Sequence, residues 1–227
     1  MLTYCTLVDI FLMNRTEKVL QDEVFRIVKP ICFKGIEGFF DIATLLRDSS
    51  LLLRVLNSLG DTVERLKPTV VCVLDARGFL FGTTVATRLR TPLVMIRKAG
   101  KLPGDCIRVV YNKEYESGDV LEIQKGSILE SDRVVVIDDI LATGGSMAAA
   151  FDLVRSLNPQ SVVGVCLIDL NLPGSQEFMR NRSVSVVPLF NFSEWKATQT
   201  QAYPYSLSLA SPNIYLVKCR ARNRYIS

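Results

Sequence analysis

The sequence predicts an α/β protein: a mostly parallel, twisted sheet with helices on both faces. Three observations predict it. Short β-branched apolar runs recur at Thr69–Leu74, Leu93–Ile96, Arg133–Ile137 and Val162–Leu170, the composition of buried strands. Stretches of helical length separate most of them, and strands of this kind alternating with helices build a parallel sheet covered on both sides. The third run ends in two adjacent acids and a Gly-Gly turn that opens the next helix, and open α/β sheets take their ligands beyond the carboxyl ends of the strands.

Each element has its own signal. Over residues 14–29, Val19, Leu20, Val24, Phe25, Ile27 and Val28 form an apolar stripe among charges, and Pro30 ends that helix. Residues 31–41, ICFKGIEGFFD, are aromatic and Gly-rich and suit short strands with turns. Ser49 or Ser50 is placed to cap a helix through Leu51–Leu66. A strand follows Pro68, then a helix over Phe79–Arg90, then the strand Leu93–Ile96. Residues 97–119 break the rhythm, with five basic and four acidic residues, three glycines and one proline. They read as a long charged loop, the kind that is usually functional. The strand Arg133–Ile137 leads into a helix over Ser146–Leu157, and Val162–Leu170 and Ser183–Val187 supply the last strands.

Composition narrows the chemistry. The 227 residues are 48% hydrophobic and 22% charged, as in an ordinary globular protein. There is no histidine, which excludes Ser-His-Asp and Cys-His catalysis and any His-ligated zinc. Proton transfer then falls to Asp, Glu, Lys, Tyr or Cys. Six cysteines, at 5, 32, 72, 106, 166 and 219, form no C-x-x-C pair and read as free thiols of a reducing compartment. The apolar N-terminal stretch holds Asp9 and has no basic region before it, so neither a signal peptide nor a membrane span is expected. It reads as a packed strand or a leader. The net charge of +4 is concentrated at one end: Trp195–Ser227 holds five basic residues and no acid, leaving −1 on residues 1–194. A nucleic-acid surface on the main body is therefore not expected.

The most specific segment is Arg133-Val-Val-Val-Ile-Asp138-Asp139-Ile140-Leu141-Ala142-Thr143-Gly144-Gly145-Ser146. Glycines let backbone amides approach a phosphate, a helix N-terminus favours negative charge, and the Thr143 and Ser146 hydroxyls add donors. Asp138 and Asp139 would repel that phosphate and so suit another group of the same ligand, most naturally vicinal hydroxyls. Together they imply a ribose 5-phosphate. Neither G-x-x-x-x-G-K-[ST] nor G-x-G-x-x-G is present.

This segment resembles the signature with which type I phosphoribosyltransferases bind phosphoribosyl pyrophosphate (PRPP). Two more segments resemble the adenine phosphoribosyltransferase family: Asp75-Ala76-Arg77-Gly78-Phe79-Leu80-Phe81-Gly82, and Arg97-Lys98-Ala99-Gly100-Lys101-Leu102-Pro103-Gly104 with Tyr111-Asn112-Lys113-Glu114-Tyr115. The resemblance covers roughly residues 30–190. It implies the type I phosphoribosyltransferase fold, with a small N-terminal hood and a flexible active-site loop. It also implies a homodimer and transfer of ribose 5-phosphate from PRPP to adenine with Mg²⁺, giving AMP and pyrophosphate in purine salvage. Mg²⁺ would be held through PRPP and water, with no direct protein ligand.

By the same resemblance, Asp138 and Asp139 hold the ribose, and Ala142, Thr143, Gly144, Gly145 and Ser146 hold the 5-phosphate. Asp75, Ala76, Arg77, Arg97, Lys98 and Lys101 belong to the pyrophosphate site; Asp75–Ala76 is the candidate for the cis peptide common in that family, and Arg97 reaches across the dimer interface. Glu114 is the catalytic acid–base residue and Tyr115 helps close the loop. Gly38, Phe39, Phe40 and Ile140 bind the base, Phe39 and Ile140 as a sandwich and Gly38 and Phe40 through backbone groups.

The hood departs from the common F-R-D-I-T-P-L-L pattern: here it reads Gly38-Phe39-Phe40-Asp41-Ile42-Ala43-Thr44-Leu45-Leu46. That version, with the extra C-terminal region, is more similar to the longer protozoan forms. A rival reading is a phosphoribosyltransferase for another purine base; enzymes for 6-oxopurines usually place a lysine after the PRPP loop, and Val163–Asp169 has none. Two further rivals are a PRPP-binding regulator and a catalytically weak paralogue. The expected organisation is an N-terminal segment and base-binding hood over 1–45, a PRPP-binding core over 46–190 and a basic extension over 191–227. The cytoplasm is the expected location, since the chain ends in Tyr-Ile-Ser and not in a peroxisomal address.

Overall fold

The computed structural model describes residues 15–33, 36–113 and 116–192. They divide into two compact units, with the boundary between Arg54 and Val55.

The first unit opens with α1 (Arg15–Ile27), whose Leu20, Val24 and Phe25 are buried. Its acidic side meets the next long helix: Glu23 accepts Arg54 Nη1 at 2.5 Å. The hairpin β1 (Pro30–Phe33) and β2 (Ile36–Phe40) follows, antiparallel and with a register shift between Ile31 and Phe33. Asp41 Oδ1 then accepts the Ala43 N–H at 2.9 Å, a side-chain turn that starts α2 (Ala43–Arg47). The helix α3 (Ser49–Arg65) runs from this unit into the second. Its cap is neither of the expected serines. Asp48 Oδ1 accepts the Leu51 N–H at 3.0 Å, so the aspartate one residue earlier takes the capping position and Ser49 lies inside the first turn.

The second unit is built on a seven-stranded sheet. Its members are β3 (Val70–Leu74), β4 (Leu93–Lys98), β5 (Cys106–Lys113), β6 (Glu116–Gln124), β7 (Arg133–Leu141), β8 (Ser161–Asp169) and β9 (Val186–Asn191). The order is β5-β6-β4-β3-β7-β8-β9. Strands β4, β3, β7, β8 and β9 are mutually parallel, while β6 pairs antiparallel with both β4 and β5. The sheet is thus mixed, and most of the charged stretch 97–119 is strand where a loop was expected. The reason is alternation. On β5 and β6, Ile107, Val109, Tyr111, Leu121 and Ile123 pack into or against the core. The intervening positions carry Arg108 and Glu122, so a period-2 pattern is masked by its charged half. The expected loop residues Glu114 and Tyr115 lie outside the described residues.

Helices cover both faces. On one, α5 (Gly145–Arg155) packs Met147, Ala148, Phe151 and Val154 with Cys72, Val134, Val136 and Cys166. On the other, α4 (Gly78–Leu89) lies over β3 and β7. A short α6 (Ser175–Asn181) leads to β9. The central strand β3 is buried along its whole length, which explains its unbroken apolar sequence. Burial raises the thiols of Cys72 and Cys166 well above the ordinary cysteine range, and both are free.

Gly82 sets how closely α4 approaches β3: a Cβ there would collide with Val73 Cγ1. Gly82→Ala should therefore destabilise the protein by about 1–3 kcal/mol through overpacking. Urea unfolding at fixed pH measures this, and an unchanged midpoint would show that the helix can shift freely.

Candidate active site

Strand β7 extends four residues beyond the predicted run, so Asp138, Asp139 and Ile140 are still part of the sheet. Pairing with β8 holds them there, with Asp138 opposite Cys166 and Ile140 opposite Ile168. The chain then turns through residues 142–144 into α5. Gly144, at φ 88°, is the N-cap of that helix, and no side chain caps it. A side chain at this glycine would be strained by the backbone and would meet Met179 Sδ at 2.7 Å. The first-turn N–H groups of a helix have no intrahelical acceptor, and here they border an open pocket lined by Asp138 and by residues 140–147. An oxyanion seated in it meets backbone donors, the positive end of α5, and the hydroxyls of Thr143 and Ser146.

The two carboxylates differ in their surroundings. Asp139 is almost fully buried and lies 2.8 Å from Arg77 Nε, at the start of α4. Burial raises its carboxyl, and the Arg77 charge opposes that rise. Asp138 accepts the Asp139 N–H at 2.9 Å; burial, and then the neighbouring Asp139 carboxylate, push its carboxyl well above the usual range. Such a pair suits neutral hydroxyls, to which an ionised carboxylate is a strong acceptor.

The expected pyrophosphate residues gather around Asp75. The Asp75–Ala76 peptide is cis. Asp75 Oδ2 accepts Arg97 Nε at 3.2 Å and Lys101 Nζ at 3.4 Å. Arg97 also lies over the Phe79 ring, 5.7 Å from its centroid. Lys98 points to the other side of β4, where its ammonium is 3.4 Å from Asp119. The structure thus brings Arg97 and Lys101 together, sets Arg77 beside Asp139, and leaves Lys98 with a different carboxylate. Of the expected base residues, Gly38, Phe39 and Phe40 lie on β2, with Phe40 buried, and Ile140 lies on β7.

Two residues, Tyr111 and Glu122, have a place at the site that the sequence reading does not assign them. Tyr111 OH is 3.4 Å from both Ser146 Oγ and Asp119 Oδ2, and so ties β5 to the oxyanion pocket and, through Asp119, to Lys98. Glu122, on β6, is fully buried and accepts the backbone N–H groups of Lys101 and Leu102 at 2.8 and 2.9 Å and Arg108 Nε at 3.0 Å. Burial pushes its carboxyl up, but the amides of Leu102 and Gly100, Arg108 and the Lys101 amide outweigh that and hold it at about 2. The one signal for it is a single acid between Leu121 and Ile123 in an otherwise apolar stretch.

This fold and pocket define the class. The family model for the phosphoribosyl transferase domain matches residues 53–201. A protein of Mycoplasma mobile named adenine phosphoribosyltransferase is 37% identical over 175 residues, 77% of this chain and 97% of that protein. Among solved structures, the adenine phosphoribosyltransferase of Thermoanaerobacter pseudethanolicus superposes with a TM-score of 0.69 at 34% identity, covering 76% of this chain and 99% of that one. That of Trypanosoma brucei, in complex with AMP, pyrophosphate and ribose-5-phosphate, gives a TM-score of 0.69 at 29% identity, covering 77% and 80%. The chain belongs to the adenine phosphoribosyltransferase family.

Because the Asp138 carboxyl sits above its unfolded value of 3.8, its ionisation opposes folding as pH rises through that interval. Asp138→Asn keeps an acceptor for the Asp139 amide and removes the charge. The ligand-free variant should be more stable than wild type at neutral pH, with the gap shrinking as pH falls toward 3.8. Thermal melts across pH measure this; a gap independent of pH would assign the raised proton elsewhere.

Proposed function

We propose that this enzyme transfers the 5-phosphoribosyl group of PRPP to adenine, giving AMP and pyrophosphate, a step of purine salvage. The observation that carries the reading is the end of β7: two adjacent carboxylates beside an uncapped helix N-terminus, acceptors for ribose hydroxyls next to donors for a 5-phosphate. The ligands held by the Trypanosoma brucei relative support it.

The 5-phosphate sits on residues Ala142–Ser146, and Asp138 and Asp139 accept the ribose hydroxyls. As the bond from the anomeric carbon to pyrophosphate breaks, positive charge develops on the ribose and negative charge on the leaving group. Arg77, Arg97, Lys98 and Lys101 meet that negative charge, and Asp75 and Ala76 form the turn beneath it. A ring nitrogen of adenine bonds to the anomeric carbon, and Glu114 takes the proton that nitrogen loses. Tyr115 helps close the loop. Gly38, Phe39, Phe40 and Ile140 hold the base, within an N-terminal hood over 1–45 that serves the core over 46–190; residues 191–227 are a basic extension.

The carboxylates and hydroxyls of the described site residues are hard oxygen donors, which suits Mg²⁺. Mg²⁺ would be held through PRPP oxygens and water, with no direct protein ligand. When bound it neutralises pyrophosphate charge.

The enzyme acts as a homodimer in the cytoplasm. Support for the dimer comes from β4: Val71 and Val73 on the adjoining strand are fully buried, yet their register partners Leu93 and Met95 are 39% and 41% exposed, and Leu80 on α4 is 49% exposed. A second copy covering that apolar stripe removes it from water. Among the described residues no helix is long and apolar enough to cross a membrane.

The test is product formation from PRPP and Mg²⁺ with adenine, hypoxanthine, guanine and xanthine in parallel. AMP from adenine alone is expected; turnover of a 6-oxopurine in its place would overturn the base assignment. Glu114→Gln should lower kcat by about 100-fold or more while changing PRPP affinity little, and equal turnover would remove Glu114 from catalysis.

A further inference from the structure

We infer that Glu122 is a positioning residue for catalysis: its buried carboxylate fixes the backbone of residues 100–102, and thereby aims the Lys101 ammonium at the pyrophosphate group. The inference rests on the pyrophosphate role proposed for Lys101.

The segment from Ala99 to Asp105 joins β4 to β5 and has few anchors of its own. Gly100 and Gly104 both have positive φ, and neither has anything within 4 Å of where a Cβ would stand. Such a stretch has many conformations of similar energy. One carboxylate selects among them. The antiparallel register sets Arg97, Glu122 and Arg108 in one row across β4, β6 and β5. Within that row Arg108 bonds Glu122, while the Glu122 Oε1 atom turns to the segment and accepts from Lys101 and Leu102. Arg97 leaves Glu122 and donates through Nη1 to the Lys101 carbonyl at 3.3 Å. Lys101 is therefore held at three points: its N–H by Glu122, its carbonyl by Arg97, and its ammonium by Asp75 at 3.4 Å. The third contact is the one a ligand can replace, because the Lys101 side chain is half exposed. Glu122 is wholly enclosed and cannot itself meet pyrophosphate.

Burying a carboxylate is costly unless it is fully hydrogen-bonded, and an apolar residue often serves stability as well. The donors here converge from the segment that carries Lys101 and from one arginine. The carboxylate thus does something an apolar residue in the same space would not: it specifies a backbone conformation.

The experiment compares wild type with Glu122→Gln, Glu122→Asp and Leu59→Ala. Leu59 is a fully buried residue of α3 outside the site, and its truncation controls for a general loss of stability. AMP formation is measured against PRPP and against adenine, Mg²⁺-pyrophosphate binding by calorimetry, and stability by thermal melts. Glu122→Gln should raise the KM for PRPP and the Kd for pyrophosphate by about 10- to 100-fold, with the adenine KM within about twofold. Glu122→Asp, which keeps the charge but is one methylene shorter, should fall between, and it carries the test if the Gln variant does not fold. Leu59→Ala should lower the melting temperature and leave both KM values unchanged. Wild-type values for PRPP and pyrophosphate in both Glu122 variants would overturn the inference. So would KM values for both substrates that rise together, as from a loosened fold. A wild-type protein that binds pyrophosphate but forms no AMP would refute the proposed reaction, and the pyrophosphate affinity of the variants would still decide the role of Glu122. A wild type that neither binds pyrophosphate nor forms AMP would overturn both.

Discussion

Two like charges at the end of one buried strand govern the arrangement of the site. Asp138 and Asp139 are covalent neighbours on β7; burial raises the cost of ionising both, and the Asp139 carboxylate adds to it at Asp138. Arg77 relieves that cost from one side, at 2.8 Å from Asp139, which fixes where α4 must begin. On the other side the chain leaves the sheet at once for the glycine turn and α5. A strand placed at the sheet edge could hydrate its acids; β7 lies between β3 and β8 and must pair them instead.

The same pairing of charge extends over the whole cleft. Arg97 and Lys101 rest on Asp75, Lys98 on Asp119, and Arg108 on Glu122. The exposed members of these pairs are cations, and the anions lie deeper: Lys98 and Lys101 are about half exposed while Asp75, Asp119 and Glu122 are largely or fully covered. A polyanionic ligand entering from solvent therefore meets positive charge first. It also finds side chains whose present ion pairs are weak at such exposure, so exchanging them for phosphate oxygens costs little.

The parallel body of this fold is legible in the sequence because its signals are local. The five consecutive buried residues of β3 read as an apolar run, and the Asp-Asp and Gly-Gly pairs lie within one short segment. What stays hidden depends on pairing across distance. Glu122 is ordinary as a residue in sequence; only the register of β4, β6 and β5 makes it the centre of a cluster. Tyr111 likewise needs α5 beside β5 before its hydroxyl means anything. The hairpin of β5 and β6 reads as loop because its density of charge outweighs its alternation to the eye. The cap of α3 falls one residue before the expected serines because the Asp48 carboxylate accepts the Leu51 amide.

The attachment of that hairpin has a mechanical consequence. Strand β6 meets β4 at Arg97 and Lys98 and nowhere nearer the start of β4 among the described residues, with the Ala99 amide adding a bond to Val120 at 2.9 Å. The hydrogen-bonded joint between the parallel body and the antiparallel arm is thus short, and it is made of the residues that bear the cations. Packing fastens the arm as well: Ile107, Val109, Leu121 and Ile123 share one core with α5. Arg97 and Lys98 are rooted where the two fastenings meet, so the arm and the charge it serves are held as one piece.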